Sequence, residues 1–262
     1  MPTTVRSPDG SVIGYETLGD GPPMVLVHGT GADRTRWAAV RERLAERYRL
    51  HLVDRRGRGL STAEAAGYDI RREGEDIAAV AEAAGGDVYL VAHSYGALCA
   101  LEAVQVTDAV TRLVAYEPPR PEPGGFVIGP EPLGRMRAAT DPERILEIFL
   151  GEALRLPPAD IDAMRRTPVW PARVAAAPTI TRELEFVEAF VAGERLGKIA
   201  VPVRLFAGTE SPEYLKLAAE AVAARIPGAD LVSMTGQAHQ AMDFDPDQFV
   251  DAVFAFGTAS EA

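Results

Sequence analysis

Short apolar runs alternate with stretches of helical spacing through the first 117 residues. Val5 to Leu18 predicts two strands around a Ser7-Pro8-Asp9-Gly10 turn, since Pro, Asp and Gly each favour a tight reversal. Pro23 to Val27 predicts a buried strand that ends at His28-Gly29-Thr30-Gly31. Trp37, Val40, Leu44 and Tyr48 fall on one side at helical spacing and predict a helix over residues 36–48. Leu50 to Val53 reads as a strand, and Asp76 to Ala84 as a helix stopped by Gly85-Gly86. Asp87 to Val91 is a strand, residues 97–104 a buried helix, and Leu113 to Tyr116 a strand closed by Glu117-Pro118-Pro119. Strand and helix in this rhythm predict a parallel sheet with crossover helices.

The rhythm breaks between Pro118 and about Gly197, where prolines are frequent and helical patches occur, such as Asp141 to Leu154 and Arg182 to Val191, with no strand-like run. Asp141-Pro142 is a helix start: a capping carboxylate, then proline in the first turn. Strand and helix resume with Val201 to Gly208, Pro212 to Arg225, Asp230 to Met234 and Asp247 to Phe256. The expected organisation is an α/β core over residues 1–117 and 198–262, interrupted by a helical insertion at 118–197.

A chain of 262 residues with 47% apolar and 25% charged residues can bury a full core. Its net charge of −11 argues against a nucleic-acid backbone or an anionic membrane as partner. One cysteine, Cys99, cannot form an internal disulfide, which fits a reducing cytoplasm. Neither a signal pattern nor an apolar run of about 18 residues is present, so the expectation is a cytoplasmic protein without a membrane partner. The four histidines and one cysteine have no metal-ligand spacing. The His28 loop also lacks the Lys and Ser/Thr of a phosphate loop. No cofactor or metal is expected.

The candidate chemistry sits at Ala92-His93-Ser94-Tyr95-Gly96, between a predicted strand and a predicted helix. A serine flanked two residues away by small side chains at such a turn is a nucleophile elbow. His51 falls in a strand, and His93 is expected to point away from the site. The Asp54 to Ser61 run reads as a structural turn with internal ion pairing.

Four features in fixed order make the chain resemble the α/β-hydrolase family over nearly its whole length. His28-Gly29 resembles the family's oxyanion loop, and Asp54-Arg55-Arg56-Gly57-Arg58-Gly59-Leu60-Ser61 resembles its D-x-R-G-x-G-x-S signature. Ser94 follows, and then Gly236-Gln237-Ala238-His239 after the last predicted strand. The resemblance implies a mostly parallel sheet flanked by helices, with an inserted helical cap. It implies Ser94 as nucleophile, His239 as general base and acid, and the backbone N–H groups of Thr30 and Tyr95 as oxyanion donors. The acid is open. The family's usual position, three residues past Gly208, is Ser211, which cannot serve. Glu210 lies one position early, and Glu117 at the preceding strand end is favoured over it.

A serine at the elbow implies acyl transfer from an ester, thioester, lactone or amide, with the first three favoured, whereas epoxide hydrolases and haloalkane dehalogenases of this fold use aspartate. Acyltransferase, cofactor-free perhydrolase, carbon–carbon bond hydrolase and non-catalytic binding protein remain alternatives. His28, Phe126, Met136, Phe149, Trp170, Phe186 and Phe190 are the expected pocket lining, suited to a small hydrophobic acyl substrate. The acidic surface favours neutral or cationic substrates. Oligomeric state is left open.

Overall fold

Among the described residues, eight strands form one sheet: β1 (Pro2–Arg6), β2 (Val12–Leu18), β3 (Pro23–Val27), β4 (Arg49–Val53), β5 (Val88–His93), β6 (Val110–Tyr116), β7 (Val203–Gly208) and β8 (Asp230–Met234). A computed structural model describes residues 2–62, 67–120 and 123–257, so small parts of all three expected segments lie outside the described residues. The strand order is β1-β2-β4-β3-β5-β6-β7-β8. The first two strands run antiparallel, and the rest from β4 onward are parallel.

The near-continuous apolar strands follow from burial on both faces. Along β3, Val25 and Val27 join one core cluster while Met24 and Leu26 join the other. In β5, Leu90 and Ala92 divide from Tyr89 and Val91 in the same way. The helices α2 (Ile70–Ala83), α3 (Tyr95–Ala103) and α9 (Glu213–Ala223) cover the first face. The second face is covered by α1 (Arg41–Ala45) and α11 (Pro246–Gly257), through Leu44, Phe249, Val250 and Val253.

Two helices differ from the sequence expectation. Residues 36–48 do not form one helix: a 3₁₀ turn at Arg34–Trp37, capped by Asp33, precedes the short α1. Trp37, Val40 and Leu44 still bury on the expected common side. The second helix begins at Ile70 and not near Asp76, capped by Asp69 accepting from the Arg71 N–H at 2.9 Å. Its first turns carry charges that hide the apolar period, and two of them, Glu73 and Asp76, are buried as ion-pair partners.

Between β6 and β7 lie α4 (Pro130–Ala138), α5 (Pro142–Ile148), α6 (Pro158–Arg165), α7 (Trp170–Ala176) and α8 (Ile180–Ala189), with no strand among the described residues. Proline occupies the first turn of α4, α5, α6 and α7. There the missing N–H costs nothing, because that group has no intrahelical partner anyway. This is why a proline-rich segment folds as helix. Residues 149–153 continue α5 as a π turn, with the Leu154 N–H reaching the Phe149 carbonyl at 3.1 Å. The insertion has its own apolar cluster, including Leu133, Met136, Leu146, Trp170 and Leu184. Among the described residues no helix is long and apolar enough to cross a membrane.

Candidate active site

The β3–β4 and β3–β5 pairings diverge on either side of β3, so the chain changes direction across the sheet there, where open parallel sheets place their ligands. Ser94 occupies the turn from β5 to α3 at φ 57°, ψ −128°, a conformation a serine rarely adopts. Its N–H is held by the Tyr116 carbonyl at 2.8 Å. The turn is packed against the loop after β3. A Cβ on Gly29 would lie 2.7 Å from the Ser94 Cβ, and one on Gly96 would lie 2.4 Å from the His28 carbonyl oxygen. Ala92, where the family commonly has glycine, is fully buried with its methyl accommodated. Gly96→Ala should therefore cost about 1–3 kcal/mol by overpacking. A lowered urea midpoint at unchanged slope would check this, and an unmoved midpoint would refute the close approach.

His239, in the loop before α10 (Ala241–Phe244), places Nε2 3.1 Å from the Ser94 Oγ. Its Nδ1 lies 2.5 Å from Glu117 Oε2. Glu117 follows β6, is fully buried, and accepts the Gly208 N–H on its other oxygen at 2.7 Å. It adopts φ 47°, an unusual value for a non-glycine residue. Glu210 is exposed; its N–H goes to the Gln237 carbonyl and its carboxylate contacts the Thr209 hydroxyl. The fold thus brings together Ser94, His239 and Glu117 from three separate strand ends, and leaves Glu210 outside.

Two ring donors fix the loop that carries His239. Tyr116 donates its hydroxyl to the Ala238 carbonyl, and His93 Nε2–H donates to the His239 carbonyl at 2.7 Å. The His93 and His239 ring centroids are 4.6 Å apart. The expectation that His93 points away is therefore corrected, because the sharp elbow turns this side chain under the histidine loop. Burial, with the neighbouring His239 second, holds the His93 pKa well below its ordinary value, so its ring is neutral.

His28 is also buried and is not in the wall of either cavity at Ser94. It accepts the Arg55 N–H on Nε2 at 3.2 Å, which leaves Nδ1–H to donate to the Gly29 carbonyl at 2.8 Å. Burial, aided by Arg58 and Arg55, lowers its pKa and keeps the imidazole neutral. The structure places it as a brace of the loop, outside the walls of the two cavities at Ser94.

The Asp54 to Ser61 run forms a turn closed by the Asp54 carboxylate, which accepts the N–H groups of Arg34 and Leu60 at 2.7 Å each. The internal ion pairing expected from sequence is corrected: its arginines pair with carboxylates outside the run. Arg55 reaches Glu73 at 2.8 Å and Glu183 at 2.7 Å, Arg56 reaches Asp76 at 2.7 Å, and Arg58 also reaches Glu183. Arg55 lies over the Tyr95 ring at 4.7 Å, and the Tyr95 hydroxyl meets that of Tyr68 at 2.5 Å. The residue after Ser94 is thereby tied to a buried ion cluster shared by the sheet and α8.

Of the aromatic and methionine residues expected at the pocket, Phe149 alone lines the cavities at Ser94. Phe126 is 63% exposed, and Met136 belongs to the insertion's own core. Trp170 is in that core too, its indole N–H reaching Glu143. Phe186 stands edge-on to Tyr95, and Phe190 packs on Phe186. The reason is common to all of these. A helical insertion must fill its own interior and its seam with the sheet, and these large side chains do that. The apolar wall near Ser94 is supplied by Val127, Ala153, Leu154, Leu184 and Tyr214. On the other side the wall contains Ala32, Arg36, His93, Arg173 and Gln240. Apart from His93, none of these stood out in the sequence. Arg36 and Arg173 are far apart along the chain and meet only in the fold.

The comparisons with known proteins agree with this architecture. Residues 24–252 match the model of the alpha/beta hydrolase family. The chain is 38% identical to N-formylmaleamate deformylase of Pseudomonas putida over 109 residues, which span 40% of this chain and 41% of the deformylase. Its structure is similar to that of an alpha/beta hydrolase from Sphaerobacter thermophilus, with TM-score 0.85, 31% identity, and coverage of 98% and 100% of the two chains. The esterase RhEst1 from Rhodococcus sp. is similar at TM-score 0.77 and 27% identity, over 97% and 98% of the chains. With a matching family model over most of its length and the full sheet in place, the chain belongs to the α/β-hydrolase family and is a hydrolase.

Proposed function

We propose that the chain is a serine hydrolase that cleaves an ester or amide-type acyl bond through an acyl-enzyme on Ser94. The observation carrying this reading is the continuous hydrogen-bonded relay from Glu117 Oε2 through the His239 ring to Ser94 Oγ. A serine hydroxyl is a weak nucleophile at neutral pH and needs a base to take its proton. His239 Nε2 takes that proton as Ser94 Oγ bonds to the substrate carbonyl carbon, and returns it to the leaving group as the scissile bond breaks. Water then repeats the sequence on the acyl-enzyme, with His239 again taking and returning the proton. Glu117 holds the imidazole with its proton on Nδ1 and offsets its charge when both nitrogens are protonated.

The developing alkoxide is bound by the N–H groups of Thr30 and Tyr95, each worth about 3–4 kcal/mol in the transition state. The helical insertion acts as a cap over the carboxyl ends of the strands, and Phe149, Leu154 and Leu184 form one wall of the acyl site. A relative named as a deformylase and a neighbour named as an esterase support both C–N and C–O acyl bonds as substrates. The test is covalent. A fluorophosphonate should label the wild-type chain at one equivalent and leave Ser94→Ala unlabelled. Equal labelling of both, or none of the folded wild type, would overturn the reading.

A further inference from the structure

Ser94 and His239 border two unlike spaces. One is walled by apolar side chains from the insertion and by Tyr214 and Leu215. The other runs past Ala32, Arg36, His93, Arg173 and Gln240 and contains no carboxylate in its wall. Its own volume is only about 30 Å³. It shares Ala32, Arg36 and Arg173 with a neighbouring cavity of about 260 Å³, whose wall also holds the carboxylates Asp33 and Asp243. Together they give room for a short polar chain beside the serine.

The two guanidinium groups there are in different states. Arg36 is engaged, with Nη1 donating to Asp243 Oδ2 at 2.6 Å and Nη2 lying 2.9 Å from the Met242 sulfur. The Arg173 side chain, half-buried on α7, makes no hydrogen bond or ion pair to a described residue. The two carboxylates that line the larger cavity with it are committed elsewhere: Asp243 to Arg36, and Asp33 to the N–H and hydroxyl of Thr35 at 2.8 and 2.5 Å. Burial and then the Arg36 charge push the Arg173 pKa below its ordinary value, against the weaker pull of Asp243 and Asp33. A planar, permanently charged donor set that is partly desolvated and unpaired is costly alone. It is well matched to a carboxylate that can take two of its N–H groups.

We infer that Arg173 is an anion anchor and that the substrate of this site is a short acyl compound carrying a free carboxylate beside the scissile bond. This rests on the serine-hydrolase reading for the reaction, though not for the binding of the anion. It reverses the preference for neutral or cationic substrates expected from the net charge of −11. Surface charges beyond a Debye length of about 8–10 Å are screened by salt, whereas the two arginines face the ligand directly.

The experiment compares an aryl butyrate with the aryl hemisuccinate of similar length, and with a carboxyaryl butyrate that puts the charge on the alcohol side. One of the charged esters should exceed the uncharged one in kcat/KM, and Arg173→Gln should lower that ratio about 10- to 100-fold. Arg173→Lys should recover part of it. If Arg173→Gln does not fold, Ala172→Glu, an exposed neighbour in the same cavity wall, should depress the ratio in the same direction. Succinate binding by calorimetry, weakened in Arg173→Gln, gives a readout that needs no turnover. Hydrolysis of all three esters with no charge preference, or a preference indifferent to residue 173, would overturn the inference and leave the hydrolase reading standing. Succinate binding lost on Arg173→Gln without any ester cleavage or fluorophosphonate labelling would do the opposite. Absence of both succinate binding and charge preference ends the inference.

Discussion

Glu117→Gln is expected to lower the turnover of an aryl acetate by about 10⁴-fold, while Glu210→Gln changes it by less than about 2-fold. The two oxygens of Glu117 both accept: Oε1 takes the Gly208 N–H and Oε2 takes the His239 Nδ1–H. A glutamine has one acceptor and one donor end. If its carbonyl stays on Gly208, its NH₂ faces Nδ1, which must then lose its proton and leave Nε2 protonated. That tautomer cannot accept the proton of Ser94. If the amide turns over, its NH₂ meets the Gly208 N–H donor-to-donor in a fully buried site. Either arrangement removes the base or strains the strand ends that hold it. Glu210 points to solvent and has no such connection. Steady-state rates on variants of matched circular dichroism decide the matter, and equal losses at both positions would discard Glu117 as the orienting acid.

Glu117 also illustrates what the sequence can and cannot disclose. Its place at a strand end, followed by two prolines, made it a candidate. Its distance from His239, 122 positions along the chain, could only be settled once the strands were set side by side. The two glutamates compete in sequence because each follows a parallel strand, β6 or β7, and parallel neighbours bring their carboxyl ends to the same edge. The strands themselves were legible because burial on both faces leaves unbroken apolar runs. The elbow was legible because close packing against the His28 loop demands small residues at set offsets from Ser94. Side chains that act across the seam were not. Arg173 and Glu183 look like ordinary charges on amphipathic helices, and the large apolar residues of the insertion look equally suited to a pocket or to a core. Which of these they serve depends on how five short helices pack, and no local period encodes that. His93 was missed for a related reason. Its side chain continues the Tyr89 and Val91 face of β5 and packs on Tyr116, and the loop carrying His239, 146 positions away, reaches that face only in the folded chain.

Glu183→Ala is expected to be the most destabilising single change among the charged residues, by about 3–5 kcal/mol. Its Oε1 accepts from both Arg55 and Arg58, and all three side chains are essentially excluded from solvent. Removing the carboxylate leaves Arg58 without its ion-pair partner and Arg55 with Glu73 alone, and it removes the ion pairs that join α8 to the turn after β4. A chain of this size loses roughly 2–4 °C of Tm per kcal/mol, so a fall on the order of 10 °C should appear by calorimetry. Exposed pairs offer the contrast. Arg144 and Glu147 are 53% and 30% exposed, and Arg144→Ala should cost under about 1 kcal/mol. The same cluster sets an acid limit. Burial acts to raise the Glu183 pKa, but the charges of Arg55 and Arg58 more than reverse this and bring it from 4.5 to about 2. A carboxyl group held below its unfolded value stabilises the fold fully above about pH 4.5, and that contribution is lost as the pH falls toward 2. Between those values the difference in Tm between wild type and Glu183→Ala should shrink as acid is added. A difference that stays constant over that range would show that the carboxylate's ionisation is not what joins α8 to the sheet.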